Sequence, residues 1–316
     1  MKNKTANVTR RKMLKFSMFA GAGIALGKIP TFPQASQLKG LIRRPIPSSG
    51  EKIPIVGIGT SRRYNVGTSS KERAPLKEVL KSFSDMGGTV VDTAPSYGVA
   101  ETVVGDLVDE LGCRDKLFFA TKVRKPDAEN GTQELEESFK KLKTKTIDLL
   151  QIHNMVGIDT MLPIVREWKA EGRIRYVGVS TSRERQYPDF IKMMEKEDLD
   201  FIQVNYSLQS RASAERILPL AKDRGMAVLI NVPYGRGRLF SRVGDRSLPD
   251  WASEADINSW GHFFLKYILS HPAVTCVIPG TAKMKYLTDN MGAAQGRMPN
   301  KAMRKQMEEF FDGLPS

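Results

Sequence analysis

The sequence predicts an α/β fold, a single-domain (β/α)8 TIM barrel, and three observations carry that expectation. Eight short apolar runs alternate with stretches whose apolar residues recur at helical spacing. Most of these runs are nearly continuously apolar, as parallel strands covered on both faces must be. Polar residues of chemical interest stand at the ends of consecutive runs, and only parallel neighbours bring such ends together. A doubly wound open sheet would want a Gly-x-Gly-x-x-Gly turn after an early strand, and the sequence has none there.

Leu41–Arg44 and Lys52–Pro54 flank Pro47-Ser48-Ser49-Gly50 and read as an N-terminal β-hairpin. The barrel strands follow as IVGIGT (55–60), TVVDTA (89–94), KLFFATK (116–122), IDLLQIH (147–153), RYVGVS (175–180), DFIQVNYS (200–207), MAVLINV (226–232) and VTCVIPG (274–280). Between them, APLKEVLKSFSDM, TQELEESFKKLK, TMLPIVREWKAE and AERILPLAKDRG carry helical spacing, and Gly87-Gly88, Gly172 and Gly225 close helices ahead of the next strand. Eight such units in about 280 residues make one barrel of ordinary size. Two connections exceed normal loop length, Ser61–Lys71 after the first strand and Tyr234–Ala255 after the seventh. Both fall on the carboxyl rim, where long loops serve binding. Arg62, Arg63, Trp251 and Trp260, in or beside them, are candidates for specificity. Lys301–Phe311 predicts a C-terminal helix, packed on the barrel wall or over its rim.

Of the 316 residues, 41% are hydrophobic and 27% charged, which supports a large core and excludes a disordered or fibrous chain. The net charge of +14 first points to nucleic acid, but half of it falls on seven basic residues within 1–36. The rest lies on helices that also carry acids, such as Glu134, Glu136 and Glu137 beside Lys140, Lys141 and Lys143, as solvated faces do. No zinc-finger spacing, RNA-binding aromatic motif or basic stripe accompanies it, so no nucleic-acid partner is expected. Cys113 and Cys276 fall on separate units of the barrel, and no disulfide is expected.

Residues 1–36 read as an export signal, and 37–316 as the barrel. Thr9-Arg10-Arg11-Lys12-Met13-Leu14-Lys15 precedes a short run of small and apolar residues, Phe16 to Gly27, followed by Lys28. That order is secretory, the run is too short to span a bilayer, and the paired arginines resemble the twin-arginine (Tat) consensus. A periplasmic monomer handled by the Tat machinery is the expectation. Gln34-Ala35-Ser36 is a poor cleavage match; if it is cut, no stable membrane span remains.

Asp92, Tyr97, Lys122 and His153 sit at or just past the ends of TVVD, LFFATK and DLLQIH. An acid, a phenol, an ammonium and an imidazole on one rim make a proton-donating site, so the chain reads as an enzyme. Singly, each has an ordinary role: a helix cap, a surface aromatic, a solvated strand end, a satisfied core histidine. Joint placement on three successive strand ends outweighs those roles. His262 and His271 read as structural, and no metal site is expected.

The matching stretches, IPIVGIGT, VVDTAPSYGVAETVVG, FFATKV, LEESFKKLKTKTIDLLQIH, EGRIRYVGVS, FIQVNYS and VIPGTAKMKYLTDN, resemble the aldo-keto reductase family across about residues 41–292. The resemblance implies reduction of an aldehyde or ketone by NADP(H), with NAD(H) left open. It makes Tyr97 the proton donor, Lys122 the charge that lowers the phenol's pKa, Asp92 the holder of Lys122, and His153 the group that orients the carbonyl oxygen. Gln203 and Ser180 match the family's carboxamide contacts, whereas Thr181 stands where an Asn is usual and cannot duplicate an amide. Gly235-Arg236-Gly237-Arg238 and Gly280-Thr281-Ala282-Lys283, after the last two strands, offer a phosphate site. Thr281 and Lys283 are candidates for a 2′-phosphate. Asp289 and Asn290 match the adenine end, and Tyr234 stands in for a stacking Tyr absent at Asn231. Two competing functions remain: a nicotinamide-binding sensor with little turnover, and an aldolase using Lys122 as a Schiff-base nucleophile, which pairing with Asp92 disfavours.

Overall fold

The computed structural model describes residues 40–315. The expected export signal, 1–36, lies outside the described residues.

The chain enters through an antiparallel hairpin, β1 (Arg43–Pro45) with β2 (Lys52–Pro54). Among the described residues, eight parallel strands follow: β3 (Ile58–Gly59), β4 (Val90–Asp92), β5 (Phe118–Val123), β6 (Ile147–His153), β7 (Ile174–Ser180), β8 (Phe201–Asn205), β9 (Ala227–Asn231) and β10 (Cys276–Val277). Each pairs with the next in chain order, and parallel bridges Val56–Val277 and Gly59–Gly280 join the last to the first. The sheet is a closed barrel and leaves no edge strand. Closure is tight at β3, where a Cβ at Gly57 or Gly59 would lie 2.8 Å from Val90 O or 2.7 Å from Ile278 O. Only glycine lets the walls approach so closely.

The outer layer is α1 (Ser70–Asp85), α2 (Ala100–Leu111), α3 (Ala128–Lys141), α4 (Ile158–Ala170), α5 (Tyr187–Lys196), α6 (Ile217–Asp223), α7 (Arg238–Val243), α8 (Trp260–Leu269), α9 (Met284–Gly292) and α10 (Lys301–Asp312). Several starts are set by side-chain caps: Asp127 accepts from Asn130 N, Ser259 from His262 N, and Asn300 from Met303 N, each at 2.9 Å. Helix α1 begins four residues before the apolar pattern, with Pro75 inside it. The carbonyl deprived of its partner there belongs to Lys71 in the exposed first turn, where it is open to solvent.

Two cores result. Between barrel and helices lies a large apolar shell; inside the barrel, Phe118, Tyr176 and Phe201 pack with centroids 5.6–6.0 Å apart. Ile46 and Ile53 of the hairpin close that end. Arg44 then fastens the hairpin to the end of α8, donating to Leu269 O at 2.6 Å, to His271 O at 3.3 Å and to Val274 O. With its amino-terminal end plugged by apolar side chains, the barrel can hold polar groups only toward the carboxyl mouth.

The segment Tyr234–Ala255, expected to be a long loop, is largely helical: a 3-10 turn (Gly235–Gly237), α7, and a second 3-10 turn (Asp250–Ala255). Leu239, Val243, Ala252 and Ala255 are its buried anchors. Helix α10 packs on the wall through Met303, Met307 and Phe311, a stripe at i, i+4, i+8. Cys113 and Cys276 are free and buried. No helix among the described residues is long and apolar enough to cross a membrane.

Candidate active site

Side chains alternate across a strand, so the interior residues Val90, Ala120, Leu149, Phe201 and Leu229 fix what faces inward further along. Two residues on stand Asp92, Lys122, Gln151, Gln203 and Asn231; another step on β6 and β8, and the last inward position of β7, give His153, Asn205 and Ser180. The strand periodicity thus gathers a carboxylate, an ammonium, an imidazole, a hydroxyl and four carboxamides at the mouth.

Asp92 and Lys122 form a buried ion pair, Nζ to Oδ1 2.7 Å, with a second bond from Nζ to Thr93 O at 2.8 Å. Burial opposes both charges, and the carboxylate beside it keeps the ammonium protonated above its ordinary value. Tyr97 ends a 3-10 turn, Pro95–Tyr97, directly after β4, and Gly98 at φ 69° turns the chain away. The Lys122 ammonium lies 5.3 Å from the centre of the half-buried Tyr97 ring. The sequence expectation was a lowered phenol pKa. Instead burial raises it, and the attraction of Lys122 is partly offset by the neighbouring Asp92 charge. Burial outweighs the acidifying pull of Lys122, so Tyr97 is a neutral acid.

His153 meets Tyr97 edge to face, centroids 6.1 Å apart at 90°, with Ser96 Oγ 3.4 Å from Nδ1. Burial first, then the charges of Lys122, Arg124 and Arg183, push its pKa down to about 3, so the ring is neutral. Beyond it the backbone is left-handed at two non-glycine residues in succession, Asn154 (φ 54°) and Met155 (φ 60°). Asn154 supports that turn: its Oδ1 accepts from Ser182 N and Oγ (3.0 and 3.2 Å), and its carbonyl accepts from Gln186 Nε2 (3.0 Å). The exit of β6 is thereby pinned to the loop after β7, which holds the imidazole over the mouth.

The expected carboxamide contacts are partly present. Ser180 and Gln203 stand in register beside His153 on β7 and β8. Thr181 does not join them: it is buried and its hydroxyl bonds Gln186 Oε1 at 2.8 Å, away from the barrel interior. Instead the amide oxygens Gln151 Oε1, Gln203 Oε1, Asn205 Oδ1 and Asn231 Oδ1 are buried without a protein partner, while the Gln151 and Gln203 side chains also face the Asp92 carboxylate and favour its charged form. Such groups are costly unless a ligand or water satisfies them, and they suit the carboxamide of a nicotinamide. Sequence reasoning missed Gln151 and Asn205; the period of two, carried on from Leu149 and Phe201, was the signal that finds them.

At the β9 and β10 exits, Gly235 is buried, Gly237 is exposed, and Arg236 is exposed at φ 61°. Arg238 opens α7, with Nε 3.4 Å from Gln209 Oε1. Gly280 bridges to β3, and exposed Lys283 precedes α9, whose N-terminus has no side-chain cap. Those free N–H groups with the Lys283 ammonium fit a phosphate. Three expected contacts are used up internally. Tyr234 donates its hydroxyl to Asn290 Oδ1 (2.5 Å), and Asn290 Nδ2 donates to Thr281 Oγ1 (2.9 Å), which itself bonds Pro279 O (3.0 Å). This brace ties β9 and β10 to α9, so Thr281 has no free donor for a 2′-phosphate. Tyr234 packs on Phe240 and Phe264 with its hydroxyl held by α9 and is not a free stacking platform. Asp289, half-buried, accepts from Ser259 Oγ at 2.7 Å while His262 Nε2 contacts its carbonyl at 2.9 Å. His262 is structural, as expected. Trp251 and Trp260 pack on Phe263 and on Phe310 of α10, which removes them as specificity residues.

A cleft of about 600 Å³ opens at the opposite end, between hairpin and helix–strand turns. Arg114 and Arg175 there are paired with Asp148, and the cleft lies away from the residues described above.

The aldo/keto reductase family profile matches residues 56–309. The chain is 30% identical over 213 residues to the aldo-keto reductase YhdN of Bacillus subtilis, covering 63% of this chain and 63% of that protein. It is 27% identical over 292 residues to the uncharacterized oxidoreductase YqkF of the same organism, 81% of this chain and 92% of that one. An aldo/keto reductase from Klebsiella pneumoniae, solved in complex with NADP and acetate, shares the fold with a TM-score of 0.70 at 24% identity, covering 83% of this chain and 93% of that chain. A profile that runs from the residue bridging barrel strands at Val56 to the last helix spans the barrel, and the chain belongs to the aldo/keto reductase family.

Proposed function

We propose that the protein reduces an aldehyde or ketone to the alcohol with NADPH, using Asp92, Tyr97, Lys122 and His153. The observation that carries this reading is a neutral phenol 5.3 Å, ring centre to ammonium, from a buried lysine that is itself paired at 2.7 Å. When bound, the dihydronicotinamide supplies a hydride to the carbonyl carbon. His153, neutral, donates a hydrogen bond that orients the carbonyl oxygen. Tyr97 gives that oxygen its proton, and the phenolate left behind is stabilised by Lys122. Asp92 keeps the lysine charged and fixed, and so unable to act as an amine nucleophile. The unpaired amide oxygens of Gln151, Gln203, Asn205 and Asn231 would accept from the nicotinamide amide, with Ser180 beside them. Lys283, Arg236 and the start of α9 would take the phosphates. The same reading takes residues 1–36 as a Tat signal that exports a monomeric enzyme to the periplasm, supported by the Thr9–Lys15 motif.

Fluorescence titration with NADPH and NADH, followed by a panel of aldehydes and ketones, tests the proposal. Tight NADPH binding with no turnover on any carbonyl would turn the reading to a nicotinamide-binding sensor. No nicotinamide binding at all would end it.

A further inference from the structure

Unpaired arginines are distributed unevenly over this surface. On the helices and at the amino-terminal end, many guanidinium groups are matched with acids, Arg73 with Asp106, Arg114 and Arg175 with Asp148, Arg166 with Glu197, Arg173 with Glu136, Arg224 with Asp198, while Arg43, Arg44 and Arg242 bond backbone carbonyls and Arg304 the Tyr206 hydroxyl. By contrast Arg62, Arg63, Arg124, Arg183, Arg185 and Arg236 are exposed, with no side-chain ion pair or hydrogen bond among the described residues. All six lie on segments that leave the carboxyl ends of barrel strands, after β3, β5, β7 and β9. Two of them bracket the imidazole. Arg124 is the first residue past β5 and Arg183 the third past β7, while β6, between those strands, ends at His153. Ser180 and His153 are partners in register, which sets the Arg183 loop beside the ring. The nearby acids are engaged: Glu134 accepts from Arg124 N and pairs with Lys125, and Glu184 accepts from the Ser210 hydroxyl. Asp92 is buried against Lys122.

Unmatched positive charge on both sides of the carbonyl-orienting group fits a substrate that brings its own negative charge. Resting on the reductase reading above, we propose that the physiological substrate is an aldehyde or ketone carrying a carboxylate, held by Arg124 and Arg183. A guanidinium offers the planar fork that a carboxylate accepts. Cationic charge at a concave mouth also raises the encounter rate of anions and is sensitive to salt. His153, kept neutral chiefly by burial, also feels the charges of Lys122, Arg124 and Arg183, which places both guanidinium groups near the ring.

The test uses two aromatic aldehydes of matched size, 4-nitrobenzaldehyde and 4-carboxybenzaldehyde, with the purified protein and NADPH. The wild type is expected to favour the carboxylate in kcat/KM, with a preference that shrinks as salt rises. Arg124→Ala and Arg183→Ala are each expected to lower kcat/KM for the carboxylated aldehyde about ten- to a hundredfold. Turnover of the nitro compound and NADPH affinity should hold. Arg216→Ala, which removes an arginine already paired with Glu195 at the start of α6, should change neither. Equal or better turnover of the nitro compound, with a ratio indifferent to both substitutions, overturns the inference while leaving the reductase reading intact. Loss of NADPH affinity in the two variants would assign these arginines to the cofactor and also overturn it. No oxidation of NADPH with either aldehyde would sink the reductase reading and this inference with it.

Discussion

The Asp92–Lys122 pair offers the sharpest quantitative test, because two buried charges can each be removed alone or together. At a separation of 2.7 Å and an effective dielectric of about 20, their attraction is about 6 kcal/mol. Most of that offsets the cost of taking both ions out of water, so the intact pair contributes little net stability. Removing one partner is different, since the other charge stays in the barrel without compensation. Lys122→Met and Asp92→Asn are therefore each expected to destabilise the fold by about 3–5 kcal/mol, a fall in Tm of roughly 6–20 °C for a domain of this size. The double variant Asp92→Asn/Lys122→Met should be more stable than either single one, since no orphan charge remains, and should still be inactive. Urea and thermal denaturation followed by circular dichroism measure the cycle, with NADPH oxidation followed in parallel. Strictly additive losses, or single variants within about 0.5 kcal/mol of wild type, would refute the idea that each of these ions is held by the other.

Tyr97→Phe should leave NADPH affinity close to wild type and lower kcat by about 10²–10⁴, the usual weight of a positioned acid; stopped-flow reduction against a fluorescence titration separates the two effects. With the His153 pKa pushed down to about 3 and that of His271 to about 4, kcat/KM should show no histidine titration near neutrality. Stability should fall as pH drops from about 6.5 toward those values, because the unfolded chain binds protons that the folded chain refuses; His153→Gln should flatten that limb in acid denaturation. Lys266 is fully buried and donates to Ala255, Gln295 and Arg297 carbonyls at 2.8, 2.8 and 3.0 Å. Lys266→Met should therefore cost about 3 kcal/mol or more by stranding three acceptors, readable as a lower urea midpoint. Replacing Arg10 and Arg11 by Lys together should retain the protein in the cytoplasm on cell fractionation; unaltered periplasmic recovery would remove the export reading.

The barrel was legible because parallel strands buried on both faces must be apolar throughout, and TVVD, LFFATK and DLLQIH carry that mark without ambiguity. Their terminal polar residues then read directly as mouth residues, and Asp92, Lys122 and His153 are where the strand period puts them. The cofactor side was less legible, because its contacts depend on which hydroxyls and amides the protein uses for itself. Tyr234, Thr281 and Asn290 are of the right type and near the right place, yet they bond one another. Nothing in the residue types forecasts that brace. Conversely Gln151 and Asn205 sit inside apolar runs, and only the folded barrel shows that their amide oxygens are buried without a partner. The sign of the Tyr97 shift was also beyond the sequence, since it turns on how fully Asp92 cancels Lys122 and how much water the mouth admits.

The most direct test is isotopic. With NADPH deuterated at the transferable position of C4 and an aldehyde that the enzyme accepts, the alcohol from the wild type should carry one deuterium on its carbinol carbon. Tyr97→Phe should yield the same labelled product far more slowly. Alcohol formed without deuterium, or NADPH bound but never oxidised by any carbonyl offered, would contradict the reductase account at its centre.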